Sequence, residues 1–135
     1  EGTTRAYTEE NRQLIKNRIS EIIDGISVSF GADIVLDYED GYPPTINHSM
    51  PTENVMKAAS RVVGKGAGSP YLSMGGEDFS YYCQEVPSCF FALGLLQDEL
   101  SEMPALHQPT FDFNDNAIRT GVKMFCSLAL QTTLM

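Results

Sequence analysis

The chain has 135 residues, with 9 basic and 18 acidic side chains and a formal net charge of −9. That balance excludes a nucleic-acid binder, whose phosphate contacts need a basic face, and equally a module drawn to an anionic membrane surface. No run approaches the roughly 18 apolar residues of a bilayer span, while a hydrophobic content of 42% is enough for a packed core.

In chain order, Thr3 to Tyr7 reads as a short strand. Thr8 then caps a first helix, with Glu9 and Glu10 in the first turn, where carboxylates favour the helix dipole. Ile15, Ile19, Ile22, Ile23 and Ile26 form its apolar stripe, and Gly25 and Gly31 loosen its end. Ile34, Leu36 and Tyr38 alternate with Asp33, Val35 and Asp37, the period of a half-buried strand. Strand, helix, strand with this polarity suits an antiparallel sheet carrying helices on one face. The prolines of Gly41-Tyr42-Pro43-Pro44-Thr45-Ile46-Asn47 make an extended connector.

A second helix is expected from Thr52 to Val63, with Val55, Met56, Ala59, Val62 and Val63 on one face and Gly64 as its stop. The loop from Gly64 to Gly68 lacks the full spacing of a dinucleotide or P-loop fingerprint and reads as a linker. Gly75 to Phe79 forms a turn opening a short helix through Tyr82. Cys89 to Leu93 has the length of a strand buried on both faces. Residues 97–104 read as a surface loop. Asn114 or Asp112 caps a final helix with the stripe Ile118, Val122, Phe125, Cys126 and Ala129.

Cys83, Cys89 and Cys126 are odd in number and lack C-x-x-C spacing. They suit reduced thiols in a reducing compartment, with the cytoplasm favoured, or an organelle lumen if a targeting segment exists. Glu1 opens the chain without an initiator Met or a signal segment, so a processed or partial chain is expected.

Gly75-Gly76-Glu77-Asp78-Phe79 is superficially similar to the signature turn of diguanylate cyclases. Its fourth residue is Asp78 rather than Glu, no R-x-x-D site exists, and the following Ser80-Tyr81-Tyr82-Cys83 reads as helix. Two glycines let a backbone approach a ligand, and the amides at a helix start can face an anion. Glu77 and Asp78 oppose an anion unless a metal or basic group compensates. The two histidines, His48 and His107, cannot build a multi-histidine metal cage by themselves. His107, ahead of Pro109 and two aromatics, is the candidate ligand, since neutral imidazole suits zinc-like ions.

Four segments occur in order: Gly2-Thr3-Thr4-Arg5, Gly41 to Asn47, Met74 to Tyr82, and Leu106-His107-Gln108-Pro109-Thr110-Phe111-Asp112-Phe113. Together they resemble the C-terminal part of M20 peptidase-family amidohydrolases, in the branch with hippurate hydrolases, N-acyl-amino-acid deacylases and auxin-conjugate hydrolases. The resemblance implies an α/β fold: the C-terminal part of a two-metal aminopeptidase-like catalytic domain, joined to the last half of an α+β satellite domain that mediates homodimerisation. Residues 1–40 are expected in the satellite, 41–48 in a connector and 49–135 in the catalytic domain.

The resemblance further implies two divalent ions of the zinc, manganese or cobalt class and an N-acyl amino acid substrate. A metal-bridging water, deprotonated by a glutamate, attacks the amide carbonyl. His107 matches the family's last metal ligand. Arg5 matches an arginine that meets the substrate carboxylate, which a guanidinium grips with two parallel bonds; the alternative is a strand-end arginine paired with a satellite acid. Gly75 and Gly76 match a turn beside the substrate, Glu77 and Asp78 match acids that support the site or fix that turn, and His48 is a loop residue. The other ligands and the catalytic glutamate lie N-terminal to this segment in the family. No catalytic residue is therefore expected within the chain, at most one metal ligand is supplied here, and the chain alone is expected to be inactive. The competing reading is a non-catalytic dimerisation or binding module on the same scaffold.

Overall fold

The computed structural model describes residues 1–64, 68, 71–97 and 100–133. Four helices form: α1 (Glu9–Phe30), α2 (Ser49–Val62), α3 (Ser80–Glu85) and α4 (Asn116–Thr133). The chain divides into two compact units, one of residues 1–47 and 71–88, the other of 48–70 and 89–135.

In the first unit, Thr8 caps α1 by accepting from the Asn11 amide at 3.2 Å. The helix runs straight through Gly25 and stops at Gly31, whose φ of 60° is the left-handed conformation that glycine adopts without steric cost. Its inner face is half-buried Arg12, Ile15, Lys16, Ile19, Ile23 and Ser27, and no α1 residue is fully buried. Ile22 and Ile26, expected in the stripe, lie on its exposed edge. Polar contacts tie the following chain to the helix. Lys16 Nζ reaches Asp40 at 2.6 Å and lies 5.0 Å from the centre of the Tyr38 ring, and Arg12 reaches Asp40 at 3.5 Å. Thr4 and Tyr38 share a hydroxyl–hydroxyl bond of 2.6 Å.

In the second unit, α2 packs on α4 around Val55, Ala58 and Met124, with Ala59, Val62, Cys89, Phe91 and Leu128 against them. Helix α2 begins before the expected Thr52, because Pro51 sits in the first turn, where a missing amide costs no helical hydrogen bond. Gly64, just beyond the helix, has φ 83°. The rest of the expected linker, 65–67, lies outside the described residues. Helix α4 turns a different face inward from the one its apolar stripe predicts. Ala117 and Met124 are buried, whereas Ile118, Val122, Phe125, Cys126 and Ala129 are exposed.

Among the described residues there is no β-strand. The strands expected at Thr3–Tyr7, 33–38 and Cys89–Leu93 therefore lack a ladder, and no α/β layering forms among the described residues. A strand exists only through its partner's backbone groups, and alternation within one segment does not provide the partner. Cys89–Leu93 is also not buried on both faces: Cys89, Phe91, Leu93 and Leu95 are half-buried while Phe90, Ala92, Gly94 and Leu96 are exposed. That is the two-residue period of a chain with one wet side.

Candidate functional site

The segment around His107 is a reverse turn. The Gln108 amide donates to the Ala105 carbonyl at 3.3 Å, and His107 has φ 68°, the one non-glycine residue at positive φ among those described. With Leu106 outside the positive-φ region and His107 within it, the signs of φ are those of a type II turn, whose third position favours glycine. Non-glycine residues held there are uncommon, and such strain concentrates at ligand-binding positions. The imidazole is exposed. Gln108 adds a second closure, its Oε1 accepting from the Ala105 amide at 3.1 Å.

The glycine turn lies in the first unit. Gly75 donates its amide to Ser73 Oγ at 3.1 Å. Neither Gly75 nor Gly76 has a positive φ, so conformational freedom is not what these positions require. Space is the constraint at Gly76, where a Cβ would stand 3.3 Å from the Tyr42 ring. Tyr42 also meets Tyr81 edge to face, with ring centres 5.9 Å apart. The half-buried Glu77 accepts from the Phe79 amide at 3.2 Å, bracing the entry to α3. Asp78 is exposed, and its carbonyl accepts from Tyr81 at 3.1 Å.

Arg5 belongs to the same unit as this turn, is exposed, and donates to the Thr4 carbonyl at 3.4 Å. Among the described residues it forms no ion pair with an acid, and no hydrogen bond joins it to the turn. His48 precedes α2 and offers its carbonyl to Thr52. His107 lies in the second unit. That unit also holds a cavity of about 470 Å³, lined by Val55, Ala59, Phe91, Leu93 and Met124 with Asn114 and Thr120. Among the described residues, no titratable side chain lines it.

Among the described residues, no three His, Cys, Asp or Glu side chains come together as a metal cage. His107 fits a divalent ion as a single donor: an imidazole open to solvent, on a turn that fixes its backbone. The remaining donors would have to come from elsewhere. Two side chains outside the expected site residues brace these segments. Gln108 closes the His107 turn, and Asn114 donates to the Leu95 carbonyl at 3.1 Å while its Oδ1 accepts from the Asn116 amide at 3.1 Å. Asn114 had a signal as a helix cap; Gln108 had none, because a glutamine before proline has no fixed partner.

The M20/M25/M40 peptidase family matches residues 7–131. YhaA of Bacillus subtilis (strain 168), whose name assigns it provisionally to the amidohydrolases, is 33% identical over 132 residues, covering 96% of this chain and 33% of its own length. An uncharacterized hydrolase of Staphylococcus epidermidis (strain ATCC 12228) is 32% identical, with 87% of this chain and 31% of the relative covered. One of Staphylococcus aureus (strain NCTC 8325) is 29% identical over 95% of this chain and 34% of the relative. The chain spans about a third of the length of the curated relatives it matches. No solved structure matches it. The family supports an α/β catalytic domain as the setting of these residues, a layering that does not form among the described residues. On a match running through nearly all of its length, the chain belongs to peptidase family M20/M25/M40.

Proposed function

We propose that the chain is the C-terminal part of a metal-dependent amidohydrolase that cleaves the amide bond of N-acyl amino acids, in the branch with hippurate hydrolases and auxin-conjugate hydrolases. The observation that carries this reading is His107, an exposed imidazole at φ 68° within a segment matched by the family. Zinc, manganese or cobalt is the ion class its nitrogen suits. A divalent ion held there with donors from outside this chain supplies Lewis acidity toward a water and the amide oxygen.

The chain's own residues bind and orient. Arg5 grips the substrate carboxylate with its guanidinium. The Gly75–Gly76 turn lies alongside the substrate, and Glu77 fixes that turn through the Phe79 amide. Asp78 supports the same turn. Residues 1–40 form half of a satellite domain that pairs two subunits, 41–48 connect, and 49–135 complete the catalytic domain. The three cysteines, odd in number and without C-x-x-C spacing, favour a reducing compartment, the cytoplasm first. Among the described residues, no helix is long and apolar enough to cross a membrane.

The test compares the 135-residue chain with the full-length gene product, each loaded with zinc, cobalt or manganese, on hippurate and N-acetyl amino acids. The full-length protein is expected to hydrolyse them and the chain to be inert; turnover by the chain alone at ordinary rates overturns the division of labour. His107→Ala in the full-length protein is expected to lower bound metal, and unchanged metal content removes the ligand assignment. A second reading is a binding or dimerisation module without catalysis on the same scaffold. A full-length protein that binds no divalent ion yet dimerises would establish it.

A further inference from the structure

We propose that Gln108 is a positioning residue for His107, and that its side chain holds the imidazole in the orientation that a metal ion requires; this rests on the reading of His107 as a ligand. The backbone bond from the Gln108 amide to the Ala105 carbonyl is long, at 3.3 Å. Alone it has to keep a histidine at a turn position that favours glycine. The Gln108 side chain supplies the reciprocal bond, Oε1 accepting from the Ala105 amide at 3.1 Å, so both ends of the turn are tied in both directions.

Two further features keep Gln108 in place. Its carbonyl accepts from the Phe111 amide at 3.0 Å. Pro109 follows it, and a residue before proline is excluded from the helical region by the ring's Cδ. Glutamine has the reach and the acceptor for this bond; an apolar side chain of equal length has the reach alone. Without the second closure, the turn relaxes toward type I, His107 moves to negative φ, and the imidazole swings away from its present direction. Groups behind a ligating histidine fix its orientation, and their loss typically weakens metal binding by about 10–100-fold.

The experiment uses three variants: Gln108→Met, Gln108→Glu and His107→Ala. In the 135-residue chain, NMR reads the turn directly. A strong contact from the Leu106 Hα to the His107 amide proton marks type II, and a strong contact between the amide protons of residues 106 and 107 marks type I. Gln108→Met is expected to exchange the first signal for the second and to speed Ala105 amide exchange about fivefold or more. Gln108→Glu, which keeps the acceptor, is expected to restore both. In the full-length protein, zinc affinity measured by chelator competition is expected to fall about tenfold or more in Gln108→Met and to stay within about threefold of the parent in Gln108→Glu.

Unchanged turn signals in Gln108→Met, parent-like zinc affinity in that variant, or failure of the glutamate to rescue would each overturn the proposal. Parent-like zinc affinity in His107→Ala would instead remove the ligand reading while the NMR result on the turn stands by itself, so the two failures are told apart.

Discussion

At the scale of single residues, the position that departs most from ordinary chain geometry is also the one with the clearest chemistry. A side chain in the left-handed region costs about 1–2 kcal/mol, which glycine escapes. Glycine in turn gives the unfolded chain more freedom, offsetting about 0.4–1 kcal/mol of that relief. His107→Gly is therefore expected to leave stability unchanged or to raise it by up to about 1 kcal/mol. His107→Val, branched at Cβ and ill suited to φ 68°, is expected to lower it by about 1 kcal/mol or more. Urea denaturation of both variants, followed by circular dichroism, checks the pair. Loss of stability in the glycine variant would mean that the imidazole makes a stabilising contact that outweighs the strain. A native residue that is worse for stability than glycine has a reason to be present other than folding. The same scale shows where reading the sequence stopped. His107 was legible as a candidate ligand because histidine after leucine and before a proline–aromatic run is a recognisable segment. Its strain was not, because glycine is the ordinary signal of positive φ, and histidine, though enriched there with asparagine and aspartate, adopts it in a small minority of cases.

At the scale of elements, existence was legible and orientation was not. Helix α1 begins at the Thr8 cap and ends at Gly31 because capping is local chemistry, written within four residues of each boundary. Helix α4 has two apolar stripes. Ile118, Val122 and Phe125 are the bulkier, but Ala117 and Met124 face α2, since a small residue lets two helices approach closely. Only the packing partner decides between such stripes. Met124→Ala, at 4% exposure in the shared core, is expected to cost about 2–3 kcal/mol. Ile118→Ala, at 53% exposure, is expected to stay within about 0.5 kcal/mol. Equal losses in denaturant would contradict the packing face. Helix α1 carries a pH effect. Hydrogen bonds from Arg12, then Gln13, hold Glu9 below the usual carboxylate range, while the Arg12 guanidinium is raised by the same partner. A carboxylate with a lowered folded pKa stabilises above its unfolded pKa and loses that contribution as pH falls through the folded one. Helicity of α1 is thus expected to be constant from neutral pH to about 5 and to weaken below the ordinary carboxylate range of about 4.3. In Glu9→Gln that acid-induced change should shrink; an identical acid transition would show that Glu9 does not contribute to it. The expected strands belong here too. Residues 33–38 carry the right alternation and Cys89–Leu93 the right length, but a ladder needs a neighbour, and these segments have none among the described residues.

At the scale of the whole molecule, apolar surface and net charge oppose each other. Leu14, Ile22 and Ile26 stand exposed on α1, and Ile118 and Val122 on α4, in a chain that spans about a third of its relatives' length. Contiguous apolar faces of this kind drive association. The net charge of −9 resists it. Charge repulsion is screened with a Debye length of about 8 Å at physiological salt and about 3 Å at 1 M, whereas apolar association is not weakened by salt. The purified chain is therefore expected to sediment as a smaller species at low ionic strength and to associate as sodium chloride rises. The informative variant is Ile118→Lys with Val122→Lys. Two added lysines reduce the negative charge and so weaken the repulsion, which by itself would promote association. If the double variant associates less than the parent at the same salt, the α4 face is the surface responsible, because the electrostatic change points the other way. Both positions are more than half exposed, so the α2–α4 core should survive, and unchanged helicity by circular dichroism confirms that the comparison is between folded chains. A parent chain that stays monomeric in 0.5 M salt at high concentration would show that these faces are too small or too interrupted to associate, and the expectation would fall with it.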